Sequence, residues 1–310
     1  MAKSMNRREF MKAQFWGAAW LAAGATGLIV PGRATADSTP DLGVVTGTPS
    51  AATRGAVDLL GGMQKFVKPG QRVIIKPNMS FISPPERASN THPEVVRELV
   101  VLCKEAGADK ILVLDNPLGP GERCLESSGI LEACKAIDEK MVYAVKDINL
   151  YKEVSIPQGQ SMTKNAIMRE VLKSDVLIAA PVAKSHSGTG VSLSMKGMMG
   201  LVYNRRDMHG PYDLSTSIVD LSTVLKADLV VIDATRVLTT NGPRGPGKVI
   251  SAKTVIASRD MVAADAYAVS QFEWYGRRYK AGQVAHIREA HERGLGRMDV
   301  ENLRVKTRTL

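Results

Sequence analysis

Residues 91–115, THPEVVRELVVLCKEAGADKILVLD, contain the pattern that decides the fold. Apolar side chains recur there at helical spacing until a glycine ends the pattern. Thr91 and Glu94 have the spacing of a capping box, so we predict a helix over residues 91–106. The uninterrupted apolar run of residues 111–114 then predicts a strand over residues 111–115 that is buried on both faces.

The same alternation of short β-branched runs with longer amphipathic stretches continues along the chain. It predicts strands at residues 73–76, 111–115, 141–145, 176–182, 229–233 and 254–257, and helices at residues 51–63, 91–106, 122–137, 164–173, 217–226, 263–275 and 283–293. Strands separated by helices of this length need crossover connections. We therefore expect an α/β fold, a mostly parallel sheet flanked by helices in a single globular domain.

The N-terminus has the pattern of a twin-arginine export signal. Arg7 and Arg8 are followed by an aromatic residue, a lysine and an apolar stretch interrupted by glycines. Because that stretch ends at an A-x-A-like site, we expect cleavage after Ala36. The chain would then consist of a signal, residues 1–36, and a mature domain, residues 37–310.

These boundaries predict a periplasmic or otherwise exported protein that interacts with the twin-arginine export machinery. An uncleaved signal that remains as a membrane anchor is the alternative, although its apolar stretch is close to the lower length for a bilayer span. No later stretch is long and apolar enough, so we expect no membrane span in the mature chain.

The composition narrows the class of partner. The 310 residues have a formal net charge of +10, and five basic residues and one acid lie in the expected signal, which leaves +6 for the mature domain. A basic domain suits a small anionic ligand. Lysine and arginine do not form a stripe interleaved with aromatic residues, so we expect no nucleic-acid partner. None of the three cysteines stands in a C-x-x-C motif, so we expect no iron–sulfur ligand set in this chain.

Several predicted strands run directly into polar residues. The polar residues at these strand ends are Lys76, Asn78, Asp115, Lys184, His186 and Asp233. In open parallel sheets, ligands bind outside the carboxyl ends of the strands, so we expect these side chains to line one cleft. The alternative is that strand ends reach the surface and are polar for that reason alone.

The start of the predicted helix is a second candidate for ligand contact. Free backbone N–H groups and the helix dipole attract anions at such a position. Thr91 and His92 are therefore predicted to contact an anionic ligand. The alternative is that Thr91 only caps the helix and that His92 is solvated.

Residues 184–200, KSHSGTGVSLSMKGMMG, form the segment richest in reactive side chains. Lys184 and Lys196 can neutralise an anion, or one of them can act as a base if burial lowers its pKa. His186 can transfer protons or bind a metal. We assign the catalytic roles to these three residues. The predicted ligand-binding residues are Lys76, Asn78, Thr91, His92, Asp115 and Asp233.

The two predicted site aspartates, Asp115 and Asp233, would orient the basic groups or hold a divalent cation. A second metal hypothesis joins His209 to Asp207 and Asp213. Residues 242–248, GPRGPGK, imitate a phosphate-binding loop, but valine follows where that loop needs serine or threonine, and two prolines remove N–H donors. We therefore exclude a nucleoside triphosphate site there.

Several motifs, taken in chain order, resemble the family called domain of unknown function 362. They are Ile75-Lys76-Pro77-Asn78, Thr91-His92-Pro93-Glu94, Ser128-Gly129-Ile130, Lys184-x-His186 with Val191-Ser192-Leu193-Ser194-Met195-Lys196, Asn241-Gly242-Pro243, and Asp260 with Ala264-Asp265. The resemblance covers most of the mature chain. It implies an α/β fold and a recurring set of Lys, Asn, His and Asp side chains, without an established reaction.

The chain departs from this family's pattern in two respects. Gly197 follows a lysine where the family is expected to have asparagine, so a direct ligand role is not carried over to that position. Members are often described as iron–sulfur proteins because some have an added ferredoxin-like segment with cysteine clusters. We expect no such segment here, and that property is not carried over either.

The leading functional hypothesis is an exported enzyme, or enzyme-like binder, for a small ligand with phosphate or carboxylate groups. One alternative is a periplasmic redox or metallocofactor-associated accessory protein that works with a redox partner protein, as the export route and the family's iron–sulfur association suggest. Another is a solute-binding module.

Overall fold

The computed structural model describes residues 39–310. The predicted signal, residues 1–36, and the expected cleavage after Ala36 lie outside the described residues and stay predictions. Among residues 39–310, no helix combines the length and the apolar character that a bilayer span requires.

The elements alternate as the sequence pattern predicts. The strands are β1 (Leu42–Thr46), β2 (Arg72–Pro77), β3 (Lys110–Asp115), β4 (Val142–Ala144), β5 (Tyr151–Ser155), β6 (Lys164–Met168), β7 (Val176–Ala180), β8 (Val182–His186), β9 (Gly190–Ser192), β10 (Leu229–Leu238), β11 (Val249–Ile250), β12 (Thr254–Ser258), β13 (Glu273–Trp274), β14 (Arg277–Arg278) and β15 (Val305–Thr309). The helices are α1 (Pro49–Leu59), α2 (Pro93–Glu105), α3 (Gly121–Ser128), α4 (Ile130–Lys135), α5 (Ser194–Gly197), α6 (Leu214–Ser222), α7 (Met261–Gln271) and α8 (Ala285–Glu292).

One mixed sheet forms the centre of the domain, with the strand order β15-β1-β12-β10-β7-β2-β3-β4. Strands β4, β3, β2, β7 and β10 run parallel to one another in this order, and β1 is parallel to β15. Strand β12 is antiparallel to both β1 and β10. The prediction of an α/β fold with a mostly parallel sheet is confirmed.

Buried side chains alternate between two apolar layers on either face of the sheet. Val73 and Ile75 of β2 belong to the layer that includes α1 and α2, whereas Ile74 belongs to the layer that includes α6, α7 and α8. Because both faces of β2 are covered, the strand is a continuous hydrophobic run in the sequence. Helices therefore flank the sheet on both sides, as predicted.

Proline divides one predicted strand into two. The run of residues 176–182 becomes β7 and β8, which are separated by Pro181. Strand β7 pairs with both β2 and β10, whereas β8 continues beside β10 without pairing with β2, and Asp233 lies opposite Val182. Proline has no N–H group for a strand ladder, and this accounts for the break.

The predicted helix over residues 164–173 is wrong. Residues of β6 instead pair antiparallel with β5, so that Tyr151 lies opposite Met168. Ile167 and Met168 are both buried in this arrangement. Cross-strand packing therefore outweighs the local preference for helix.

The predicted helix over residues 122–137 is interrupted at one position. Gly129 ends α3 in the left-handed region, with φ of 73°, and α4 begins at the next residue. Glycine adopts this backbone conformation without the steric cost that a side chain would add.

Candidate functional site

A cavity of about 750 Å³ opens where β2, β3 and β8 end. The predicted site residues that line it are Lys76, Asn78, Asp115, Lys184, His186 and Lys196. Parallel strands bring their carboxyl ends to the same edge of a sheet, which is why residues far apart in sequence meet here. The other three predicted site residues, Thr91, His92 and Asp233, are not part of the cavity lining.

A buried ion pair forms the floor of the cavity. Lys76 Nζ lies 3.2 Å from Asp115 Oδ1, and the two side chains are 1% and 0% exposed. Asp115 Oδ2 also accepts hydrogen bonds from the Met79 N–H group and the Ser80 hydroxyl, at 3.0 and 2.9 Å. Burial lowers the pKa of Lys76, and the charge of Asp115 opposes this shift. The negative charge of Asp115 is thus balanced within the protein by the charge of Lys76.

Gly200 packs directly on this ion pair. A Cβ atom at Gly200 would lie 2.7 Å from Lys76 Nζ and still closer to Asp115 Oδ1. The Gly200 carbonyl also accepts a hydrogen bond of 2.8 Å from the Asn116 N–H group. The position therefore has no room for a side chain.

Lys184 projects from β8 into the same cavity. Its ammonium group donates to the Ser89 carbonyl at 2.6 Å and lies 5.2 Å from the centre of the Phe81 ring. Burial, together with the smaller effect of the neighbouring Lys76 charge, lowers the pKa of Lys184 to about 7. A substantial fraction of this amine is therefore unprotonated at neutral pH.

Lys196 differs from Lys184 in its contacts. Among the described residues, its amine has no carboxylate or carbonyl partner, and its one polar contact is Met199 Sδ at 3.6 Å. Burial lowers the pKa of Lys196 to about 8, and the charge of Arg205 acts in the same direction. The protein thus holds a buried amine without the anion that would stabilise its charged form.

Asp265 fixes the short helix α5 that carries Lys196. Its carboxylate accepts hydrogen bonds from the Ser194 and Met195 N–H groups, at 2.8 and 3.0 Å. Burial raises the pKa of Asp265 to about 7, although these hydrogen bonds oppose the shift. The predicted site does not include Asp265. The Ala264-Asp265 motif was the only sequence signal that pointed to this position.

His186 is buried at the cavity wall in a defined tautomer. Its Nδ1 atom accepts a hydrogen bond of 3.0 Å from the Gly188 N–H group, so the ring proton lies on Nε2. Burial lowers the pKa of His186 to about 3, and the charge of Lys196 adds to this effect. His186 is therefore a neutral hydrogen-bond donor at neutral pH.

Asn78 offers the cavity a donor as well. Its Oδ1 atom accepts a hydrogen bond of 3.0 Å from the Val182 N–H group, across the gap between β2 and β8. The amide oxygen is thus already used within the protein, and the NH₂ group is the part suited to an anion.

Thr91 does not face the cavity but joins the end of β2 to the end of β7 by hydrogen bonds. Its hydroxyl accepts from the Asn78 N–H group at 2.8 Å and donates to the Ala180 carbonyl at 2.7 Å. The N-cap of α2 is His92, whose Nδ1 atom accepts from the Glu94 N–H group at 3.1 Å. The predicted capping box of Thr91 and Glu94 is therefore wrong.

Asp233 belongs to the same supporting network. Its Oδ2 atom accepts from the His92 N–H group at 2.7 Å and from Arg236 at 3.0 Å. Its Oδ1 atom accepts from both the N–H and the hydroxyl of Thr235. These contacts join α2 to β10. Asp115 and Asp233 therefore belong to separate hydrogen-bond networks, and this separation does not support the hypothesis that the two aspartates hold a divalent cation.

The structure adds cavity residues that the strand pattern did not predict. Seen together, the basic side chains of the lining are Lys76, Lys146, Lys184, Lys196, Arg205 and Arg206. The lining carboxylates are Asp115 and Asp207. Lys146, Arg205 and Arg206 lie outside the regular elements, where no periodicity marks them. The excess of positive charge favours an anionic ligand.

The described part of the chain has no cluster of metal-ligating side chains that would support the metal hypotheses. Residues 39–310 contain no group of three or more His, Cys, Asp or Glu side chains that could hold a metal ion. Asp213 instead caps α6 by accepting from the Thr216 N–H group at 2.8 Å. Residues 242–248, whose spacing imitates a phosphate-binding loop, connect β10 to β11. A strand therefore follows them, whereas a helix follows a phosphate-binding loop.

We predict that Gly200→Ala destabilises the protein by about 2 kcal/mol or more, because the added methyl group must displace a buried ion pair. Gly197→Ala is the matched control. Its Cβ atom would meet only Pro181 at 3.8 Å, and we expect a change below about 1 kcal/mol. Urea unfolding of both variants measures the difference, and equal stabilities would contradict the packing described for Gly200.

We predict that Lys196→Met stabilises the protein at neutral pH. The pKa of Lys196 is about 8 in the folded protein against 10.5 for an ordinary lysine, which corresponds to about 3 kcal/mol of unfavourable burial. Below pH 8 both the folded and unfolded states are protonated, so the whole gain is present. This gain declines as the pH rises from 8 to 10.5, because over that range the wild-type amine loses its proton in the folded state but keeps it in the unfolded state.

The free energy of unfolding at about pH 7 and about pH 10 measures this gain for Lys196→Met. Lys104→Met, at an exposed position of α2, is the control and should show no such dependence. A Lys196→Met variant that is less stable than the wild type at pH 7 would contradict the unpartnered burial of Lys196.

Comparison with known proteins places the chain in a family. Residues 73–270, well over half of the chain, match the family model described as Domain of unknown function (DUF362). The thylakoid-associated protein sll1697 of Synechocystis sp. (strain ATCC 27184 / PCC 6803 / Kazusa) is 28% identical over 228 residues, which cover 69% of this chain and 67% of that protein.

Two solved structures are similar at low TM-scores. The lactate racemase apoprotein from Thermoanaerobacterium thermosaccharolyticum has a TM-score of 0.42 and 13% identity over 70% of this chain and 53% of that one. A protein from Thermotoga maritima has a TM-score of 0.40 and 11% identity over 60% of this chain and 51% of that one. The chain thus spans about half the length of each structure. On the match of the family model, this chain belongs to the DUF362 family.

Proposed function

We propose that this protein is an enzyme, or an enzyme-like binder, for a small ligand that carries phosphate or carboxylate groups. The observation that carries the proposal is the charge of the cavity, where six basic side chains face two carboxylates. One of those carboxylates, Asp115, is already paired with Lys76. Five basic side chains then remain in the cavity lining with one further carboxylate, Asp207.

Burial makes this charge an effective attraction for an anion. An ammonium group taken out of water loses several kcal/mol of solvation, and an opposite charge nearby restores part of it. Lys184 and Lys196 are 2% and 8% exposed, yet neither has a carboxylate partner among the described residues. A bound anion would occupy the place of that partner, and hydrogen bonds to charged groups are the stronger kind.

The same side chains supply proton-transfer chemistry. Burial lowers the pKa values of Lys184 and Lys196 to about 7 and about 8, so either amine can accept a proton near neutral pH. His186 offers its neutral Nε2–H group as a donor to an oxygen that gains negative charge. We therefore assign proton transfer on the bound anion to these three residues.

Calorimetric titration with inorganic phosphate and with citrate tests the proposal. We expect binding to be accompanied by proton uptake near pH 7.5, because an anion raises the pKa of both lysines. We expect Lys196→Met to weaken binding by about tenfold or more, the equivalent of 1.4 kcal/mol. Lys104→Met is the control and should bind as the wild type does.

Unchanged affinity in Lys196→Met, or no binding of either anion by the wild type, would contradict the proposed site. A metal analysis and an absorption spectrum of the purified protein complete the experiment. A bound iron centre would count against this proposal and favour the alternative of a redox accessory protein with a partner.

We further propose that the protein is exported by the twin-arginine route to the periplasm, with residues 1–36 removed. The paired Arg7 and Arg8 and the A-x-A-like site support this. The Synechocystis relative is named as thylakoid-associated, which is consistent with a location at or beyond a membrane.

Replacing Arg7 and Arg8 together by lysine should block export, because the twin-arginine route reads the arginine pair. Fractionation of cells that express the wild type and the double variant measures the location. Mass spectrometry of the exported wild type should find Asp37 as its first residue. Processing of the double variant at the wild-type level would contradict the twin-arginine route, and an exported protein that retains residues 1–36 would contradict the cleavage site.

A further inference from the structure

The lysines of the cavity differ in what their amines contact. Lys76 donates to a carboxylate and to the carbonyl that follows it, Lys184 donates to a carbonyl, and Lys146 donates to two carbonyls at 3.1 and 3.2 Å. Among residues 39–310, the one polar contact of Lys196 is the thioether of Met199, at 3.6 Å. Lys196 is thus the one of these four amines that no oxygen atom of the described residues holds in place.

The groups that surround Lys196 disfavour its protonated form. Burial is the larger cause, and Arg205 adds a like charge. His186, His209 and His286 come from different segments; burial lowers the pKa of each imidazole, and the charge of Lys196 lowers it further. All three imidazoles are therefore neutral at neutral pH, and among residues 39–310 the two ring nitrogens of the buried His286 have no hydrogen-bond partner.

We propose that Lys196 is a carbonyl-reactive amine that forms an imine with an aldehyde or 2-oxo acid. This inference rests on the proposed function, since the other basic side chains would hold the anionic group of that ligand. Amines activated by desolvation and by a neighbouring cation are the ones that proteins use for imine formation. The ligand class is thereby narrowed from small anions to anions that also carry a reactive carbonyl group.

The step balances without an added oxidant or reductant. The Lys196 nitrogen forms a bond to the carbonyl carbon, and one of its two protons passes to the carbonyl oxygen to give a carbinolamine. The C–O bond then breaks as His186 donates a proton to the oxygen, water leaves, and the second amine proton passes to His186, so that a C=N bond remains. His186, with its proton on Nε2, is placed in the same cavity wall to donate to the leaving oxygen.

Reductive trapping tests the proposal on the purified full-length protein. Glyoxylate is the probe because it joins an aldehyde to a carboxylate, and cyanoborohydride reduces the imine to a stable carboxymethyl-lysine. Peptide mapping by mass spectrometry should find Lys196 modified at least about tenfold faster than exposed lysines near pH 7.5, since a larger fraction of its amine is unprotonated. Acetaldehyde, which has no anionic group, should modify Lys196 more slowly than glyoxylate does.

Two variants separate the role of the amine from the role of the charge. Lys196→Arg keeps the positive charge but has no free amine at this pH, so the rapid modification should disappear from the peptide map. Lys104→Arg, at an exposed site, should keep the rapid modification of Lys196.

Modification of Lys184 in place of Lys196, or equal rates at Lys196 and exposed lysines, would overturn the proposal. If phosphate and citrate bind but Lys196 is not trapped, the imine is excluded and the anion site stands. If neither anion binds and no cavity lysine is trapped, the proposed function fails together with the imine.

Discussion

The constraint on which the rest of this structure depends is the burial of three lysines at one cavity. Among the described residues, only Lys76 of these three has a carboxylate partner. Moving an ion out of water costs several kcal/mol even after relaxation. The Lys76–Asp115 pair offsets this cost for one lysine. Lys184 has a carbonyl and an aromatic ring, which are weaker partners, and Lys196 has a thioether. The protein therefore sacrifices stability at one edge of its sheet to maintain a positive, partly desolvated cavity.

The topology explains how this charge is concentrated. Strands β2 and β3 are parallel neighbours, so Lys76 and Asp115 reach the same edge and meet. Pro181 ends β7 and its pairing with β2, and β8 continues beside β10 with Lys184 facing the cavity. A carboxylate at the start of α5 fixes the backbone next to Lys196. Lys76, Lys184 and Lys196 thus lie on three separate elements, and no single segment of the chain contains the site.

Sequence reasoning was most successful where burial controls the pattern. Apolar runs identified the central strands, and parallel pairing was enough to predict that Lys76, Asp115 and Lys184 share one edge.

Sequence reasoning was less successful where hydrogen bonds decide the role of a residue. Thr91 and Asp233 look like ligand contacts in the sequence, but three-dimensional proximity makes them connectors between strands and α2. The basic residues Lys146, Arg205 and Arg206 lie in loops, where spacing carries no signal. The short strand β6 has a helical pattern that its pairing with β5 overrides.

The most direct test of this account is the protonation state of the cavity lysines. Nuclear magnetic resonance of protein with isotope-labelled lysine side chains can follow each amine as the pH changes. The account predicts a pKa of about 7 for Lys184 and about 8 for Lys196, with both values rising when phosphate is added. Ordinary lysine values near 10.5 at both positions, unchanged by phosphate, would contradict it.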